Sequence, residues 1–355
     1  MATAIDRNRG LNAVRIWLLI VAALVVATLI VGGATRLTES GLSIVEWKPV
    51  TGVLPPLTEA QWVAEFEKYK QIPQYREINR GMALSEFKTI FWWEWAHRIL
   101  GRVIGAAFLL PLLFFLWRGW IGRDLRWPLF GLFALGGAQG AVGWWMVSSG
   151  LTERVTVSQY RLAFHMTLAC VIYAAIVWIV ARLKPSDPVA APQRLRAGAF
   201  LLLVLTLLQI YLGALVAGLD AGLTYNTWPH IDGALIPSSE RLLFETPLWR
   251  NFFENALTVQ FNHRMLAYLI LLLALWHSWD TSRSTKDRTT RAYATLFVLL
   301  MVMQAMIGIA TLLYAVPIAL ALLHQAMAIL LLTVAVLQAA RPMHETAQMQ
   351  VLSRA

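Results

Sequence analysis

Two short stretches place a histidine beside an arginine inside an apolar run. They are Phe91-Trp92-Trp93-Glu94-Trp95-Ala96-His97-Arg98 and Leu257-Thr258-Val259-Gln260-Phe261-Asn262-His263-Arg264. An arginine at the centre of a membrane span costs roughly 2.5–3.5 kcal/mol on insertion scales, so the pair is not neutral filler. It recurs 166 residues later, from His97 to His263, which marks a duplicated site. Each copy also has a second histidine downstream, His165 and His324. Two imidazoles per half, held in hydrocarbon, are the ligand set of a six-coordinate haem iron. Zinc would want three or four protein ligands, and each half offers two histidines with no cysteine among them.

Glu94 lies three residues before His97, so both project from one helix face. The plain alternative is an ion pair with Arg98 at i+4. The repeat-equivalent residue is Gln260, which keeps the shape without the charge. The two sites are therefore built alike, and only the first has a carboxylate beside its ligand. That asymmetry predicts chemistry in the first half and a bound, non-reacting cofactor in the second. Arg98 and Arg264, with Arg36 and Arg161, are candidates to pair with haem propionates. For Arg36 and Arg161, reaching lipid phosphate is an equally good role. His230 and His277 have no counterpart in the other copy, and His344 follows the last span; these three read as solvent or interface residues.

Composition identifies the elements that must position these groups. With 58% hydrophobic and 14% charged residues, the chain departs from soluble proteins, which carry about 25% charge. Sixteen tryptophans suit two interfacial belts. The net charge of +10 does not point to nucleic acid, because the basic residues cluster in short loops. Cytoplasmic loop bias and anionic lipid explain that pattern. The single cysteine, Cys170, excludes an intrachain disulfide and reads as a packing residue. The first apolar run follows Arg7, Arg9 and Arg15. Its 20 uncharged residues, Ile16 to Thr35, exceed a signal-peptide core of about 7–15, so it reads as a retained span. The ten residues before Asn12 are too few, and too poor in Ser and Arg, for a mitochondrial transit peptide, which favours a bacterial inner membrane.

Spans of about 20 apolar residues are predicted at 16–35, 89–117, 127–148, 160–181, 197–218 and 255–278. Two more fit the 49 uncharged residues between Arg291 and Arg341, joined near Ala315-Val316-Pro317. Basic short loops after the second, fourth and sixth spans share a side with the basic N-terminus, so both termini are expected in the cytoplasm. All four histidines then fall near the outer ends of their helices. The repeat extends further. Ser40-Gly41-Leu42-Ser43, Trp47 and Pro56 match Ala221-Gly222-Leu223-Thr224, Trp228 and Pro237 at an offset of 181, and Gln139 and Gly143 match Gln304 and Gly308 at 165. The expected fold is an all-α polytopic membrane protein of eight transmembrane helices, two tandem four-helix bundles covering 1–190 and 191–355.

Glu94-Trp95-Ala96-His97-Arg98, its Phe261-Asn262-His263-Arg264 echo, Gly-Gly-Ala-Thr-Arg-Leu-Thr-Glu-Ser-Gly at 32–41 and Thr224-Tyr225-Asn226-Thr227-Trp228-Pro229 together resemble the haem A synthase family. The resemblance covers nearly the whole chain. It implies oxidation of a methyl group of haem O to a formyl group, giving haem A for terminal oxidases by successive hydroxylations with water-derived oxygen. It further implies that His263 and His324, with Arg264, hold a haem b cofactor. His97 and His165, with Arg98, would hold the substrate haem, and Glu94 would be the catalytic carboxylate. Some members carry a cysteine pair in the first outer loop. This sequence has none between 36 and 88 and so resembles the proteobacterial and mitochondrial branch. Expected partners are haem O, a haem O synthase, an electron acceptor and membrane lipid, with no nucleic acid; a homo-oligomer is compatible with the sequence. Two other classes fit parts of the pattern. A di-haem electron-transfer cytochrome should place its haems near opposite faces, and a haem carrier or transporter would share the repeat and the polar spans.

Overall fold

A computed structural model of the chain describes residues 4–48, 51–184 and 187–344, without the side chains of 4–8 and of His344. The proposed place of His344 at an interface, and the Arg7 side chain, therefore lie outside the described residues. Eight helices are long and apolar enough to cross a membrane, so the chain is a multi-pass membrane protein. They are α1 (Ala4–Leu37), α4 (Leu84–Trp117), α5 (Arg123–Ser148), α6 (Gln159–Leu183), α7 (Gln193–Gly218), α10 (Ala256–Ser284), α11 (Arg288–Leu313) and α12 (Ile318–Ala339). Between them stand the short helices α2 (Glu59–Tyr69), α3 (Pro73–Glu77), α8 (Ala221–Thr224) and α9 (Ser239–Leu242). Each predicted span falls on one of the long helices. The last two join where the backbone turns through Ala315 and Val316, both left-handed at φ 55° and 58°. The Val316 N–H bonds back to the Thr311 carbonyl at 2.8 Å, which closes α11.

Contacts divide the chain into two compact units, Met1–Ile172 and Tyr173–Ala355, so the division falls inside α6 rather than in the loop after it. In the C-terminal unit α7 packs on α10 and α12, and α11 closes the ring by packing on the same two helices. In the N-terminal unit α1 packs closely on α4, and α5 touches α4 more sparingly.

The first long loop is not merely polar. Thr58 and Gln61 form a capping box that starts α2. The helix turns Trp62, Phe66 and Tyr69 onto Phe87 and Phe91 of α4, with Leu42 in the same cluster. Rings such as Phe66 and Phe87, 4.9 Å apart, add about 0.5–1.5 kcal/mol per pair beyond their area. The Tyr69 hydroxyl donates to Gln74 Oε1 at 3.0 Å, and Gln74 Nε2 reaches the Glu39 carbonyl at 3.0 Å. This cap is thereby fastened to the end of α1.

In the C-terminal unit, Val189 and Ala190 pair in parallel with Met343 and His344, the one strand pairing among the described residues. Asp287 caps α11 through Thr290 N–H at 2.8 Å and accepts Arg341 at 2.9 Å, which pins the chain after α12 to the α10–α11 turn.

Candidate haem-binding sites

The four histidines come together in two pairs. His97 on α4 and His165 on α6 lie within electrostatic reach of each other in the N-terminal unit. His263 on α10 and His324 on α12 do so in the C-terminal unit. Nδ1 of His97, His165 and His324 is buried without a hydrogen-bond partner. Such an orphan costs roughly 1–3 kcal/mol, and a metal ion is one group that removes the cost. No cluster of three or more His, Cys, Asp or Glu is found among the described residues, so a site built from protein ligands alone has no candidate. Two imidazoles with an open nitrogen between packed helices fit a flat macrocycle that brings its own four nitrogens.

Glu94 is 2% exposed and all its acceptor positions are engaged. Oε1 accepts Arg98 Nη2 at 2.6 Å and Nε at 3.1 Å. Oε2 accepts the Ser43 hydroxyl at 2.7 Å and the Ile44 N–H at 2.8 Å. Arg98 then donates to the Ile44 carbonyl at 2.8 Å and the Glu46 carbonyl at 3.1 Å, and one turn on Arg102 donates to the Lys48 carbonyl at 2.8 Å. Positions 94, 98 and 102 thus form a ladder that clasps the 43–48 loop along α4. The ion pair with Arg98, the plain alternative from sequence, is present and belongs to this clasp. Outside the spans, hydrogen bonds from Lys48 and Lys68 hold the Glu46 carboxyl below its ordinary pKa.

The second half repeats the ladder at 260, 264 and 268. Gln260 Nε2 donates to the Ala221 carbonyl at 2.8 Å and the Tyr225 carbonyl at 3.2 Å. Its Oε1 accepts Arg264 Nη2 at 2.6 Å. Arg264 also donates to the His230 carbonyl at 3.2 Å, and the Tyr268 hydroxyl accepts Trp228 Nε1 at 2.9 Å. Glu94 therefore meets donors where Gln260 Nε2 meets acceptors. The expectation that the amide keeps the same arrangement without the charge needs correction, because the polarity of the loop contacts is inverted.

Among the other sequence candidates, Arg161 stacks over Trp145 at 4.6 Å and donates to its carbonyl at 2.6 Å, while Arg36 ends α1. His230 is exposed, as expected. His277 is not: it is 5% exposed and lies beside Gln338 around one small cavity, so its reading as a solvent or interface residue is corrected to a buried structural one. Cys170 is buried, in keeping with packing. Sequence reasoning missed Ser43, Ile44 and Gln209. The last approaches His263 Nδ1 at 3.0 Å, and its place four residues before Gly213 echoes Gln304 and Gly308.

Comparison with known proteins identifies the family. Residues 15–336 match the family model described as cytochrome oxidase assembly protein. The chain is 63% identical over 335 residues to the protein named Heme A synthase of Rhodopseudomonas palustris strain HaA2, covering 94% of this chain and 92% of the relative. It is 63% identical over 341 residues to that of Bradyrhizobium diazoefficiens, covering 96% and 94%. It is 59% identical over 339 residues to that of Bradyrhizobium sp. strain ORS 278, again covering 96% and 94%. The chain belongs to the haem A synthase family of cytochrome oxidase assembly proteins.

Proposed function

We propose that this chain acts as a haem A synthase, oxidising a methyl group of haem O to the formyl group of haem A by successive hydroxylations with oxygen from water. The observation that carries the reading is the pairing of His97 with His165 and of His263 with His324, in a chain 59–63% identical to proteins named Heme A synthase. Haem O is the substrate, held by His97 and His165. A haem b cofactor belongs to His263 and His324. The halves 1–190 and 191–355 serve these two roles.

A resident haem supplies a redox-active iron. The chain's own residues do the rest. The histidine pairs orient the macrocycles, and the apolar helices keep bulk water away. Glu94, three residues from His97, places a negative charge where positive charge develops on the oxidised carbon. With its acceptor positions filled by Ser43, Ile44 and Arg98, it serves as a fixed charge while the clasp is closed. Turning Ser43 away would free Oε2 to accept the proton of an attacking water. Arg98 makes four hydrogen bonds to Glu94 and the loop. Arg98 and Arg264 thus act first as loop anchors, with propionate pairing left to their remaining N–H groups.

The basic short loops support a bacterial inner-membrane protein with both termini cytoplasmic and the haem sites toward the periplasm. Electrons pass to an acceptor outside the chain, and a haem O synthase is the source of substrate.

The test is haem extraction and chromatography from cells that make haem O, with and without the chain. Haem A should appear only with it. Bound haem b without haem A would favour the electron-transfer cytochrome, and a haem-free protein the transporter.

A further inference from the structure

Each of the four histidines lies against a glycine of the preceding span. A Cβ added at Gly32 on α1 would stand 2.7 Å from Cε1 of His97, and one at Gly308 on α11 would stand 2.7 Å from Cε1 of His324. The distances are 3.0 Å from Gly213 on α7 to His263 and 3.1 Å from Gly143 on α5 to His165. Four residues before each glycine, on the same helix face, stands Thr28, Gln304, Gln209 or Gln139. The main chain of Thr28, Gln209 and Gln304 lies close to the imidazoles of His97, His263 and His324 respectively, while Nδ1 of His97 and of His324 makes no regular hydrogen bond. Gln139 Nε2 instead reaches the His165 carbonyl at 3.0 Å. The three glutamines each leave Oε1 buried without a partner.

These contacts have one cause. In a helix the carbonyl of residue i bonds the N–H of residue i+4, and the side chain of i+4 lies over that same turn. Without a Cβ at i+4, an imidazole from the next helix can approach the carbonyl closely enough to donate to it. That contact leaves its other nitrogen for iron, because a ligating histidine holds its tautomer and plane by giving its second N–H to a carbonyl.

We propose that Gly32, Gly143, Gly213 and Gly308 are positioning residues that seat the four axial imidazoles, each acting through the turn that precedes it. This rests on the reading of the histidines as haem ligands. It differs from a packing role because it sets the ligand plane and not only the helix spacing. Gly140, on α5 and exposed, has nothing within 4 Å of an added Cβ, so it is the internal control for a glycine replaced in a span.

The test uses the full-length protein purified with its haem. Haem per protein, the g-values of the low-spin ferric signal and the midpoint potential are measured for the parent and for Gly308→Ala, Gly213→Ala and Gly140→Ala. Gly308→Ala should lose haem b by about tenfold, in the range typical when the outer partner of a metal ligand is removed. Gly213→Ala, with a few tenths of an ångström more room, should keep haem and shift its g-values and potential. Gly140→Ala should match the parent in all three. Unchanged signals in Gly213→Ala overturn the proposal even if Gly308→Ala fails to accumulate, and so does a Gly140→Ala variant perturbed as strongly as Gly213→Ala. A parent protein without a low-spin bis-histidine signal would instead overturn the reading of the ligands.

Discussion

Glu94 and Ser43, 51 residues apart, meet through a buried hydrogen bond of 2.7 Å that closes the first loop onto α4. The same carboxylate oxygen takes the Ile44 N–H, and the other oxygen takes Arg98. In the second half, the amide nitrogen of Gln260 makes the matching connection by donating to the carbonyls of Ala221 and Tyr225. The same ladder is thus used in both halves with opposite polarity at the loop contacts, and only the first version includes a carboxylate, which is ion-paired with Arg98.

That contrast gives the first prediction. Glu94→Gln should keep haem b, whose proposed ligands His263 and His324 lie in the C-terminal unit, and should lose haem A formation, with haem O or a hydroxylated product accumulating. An amide N–H facing the Ile44 N–H also leaves buried donors unmet, at roughly 1–3 kcal/mol, so hydrogen exchange at 43–48 should quicken. Ser43→Ala separates the two effects, since it removes one clasp contact and keeps the charge. It should retain most haem A formation while exchange at 43–48 rises. If Ser43→Ala abolishes haem A as fully as Glu94→Gln, then Glu94 works by holding the loop and not by its charge.

The two histidine pairs should differ in permanence, because a cofactor stays and a substrate leaves. His263→Ala and His324→Ala should each lower the haem b content of the purified protein. His97→Ala and His165→Ala should leave it near the parent value while stopping haem A formation. Full haem b with an unchanged spectrum in both C-terminal variants would remove the cofactor assignment.

How far the sequence carried this reading depended on the kind of signal. Spans were legible because about 20 apolar residues in a row have few other uses, and even the turn at Ala315-Val316 fell in the predicted place. The histidine pairing was legible because His97-Arg98 and His263-Arg264 are each followed by a second histidine at similar spacing, His165 and His324. The folded cap over α4 was not. Its signals, the Thr58–Gln61 capping box and the Trp62, Phe66, Tyr69 face of an 11-residue helix, sit inside a long polar loop where length and charge dominate the reading. His277 was misplaced because a lone histidine near a basic loop resembles a solvent residue until Gln338 is seen beside it.

Orientation can be read chemically because the one native thiol, Cys170, is buried. Cysteines placed at the exposed positions Thr152 and Ser239 should react with an impermeant thiol reagent in intact spheroplasts. One at the exposed Lys286 should react only after the membrane is opened. The reverse pattern would place both termini outside and move the haem sites to the cytoplasmic side.

The last prediction concerns the far end of the C-terminal unit. Asp287 accepts the Thr290 N–H at 2.8 Å, the Thr290 hydroxyl at 2.6 Å and Arg341 at 2.9 Å. Burial alone would push its carboxyl up, but the bonds from Thr290 and Arg341 outweigh it and leave the pKa below the ordinary value. A carboxyl depressed in the folded state contributes stability that is present above its unfolded pKa of about 3.9 and is lost as pH falls through the folded value. Asp287→Ala should therefore cost roughly 1–2 kcal/mol, the range for a lost helix cap. The deficit should be constant from about pH 7 to about pH 5 and should shrink only below about pH 4. Exchange at Val189–Ala190 and Met343 should quicken, because Arg341 loses its anchor. Asp287 lies about 25 Å along α11 from Gln304 at a rise of about 1.5 Å per residue, so haem content should not change. Thermal unfolding in detergent at several pH values, read beside the haem spectrum, checks all of this. A variant that loses haem in step with its stability would show that this end of the bundle is coupled to the histidine site.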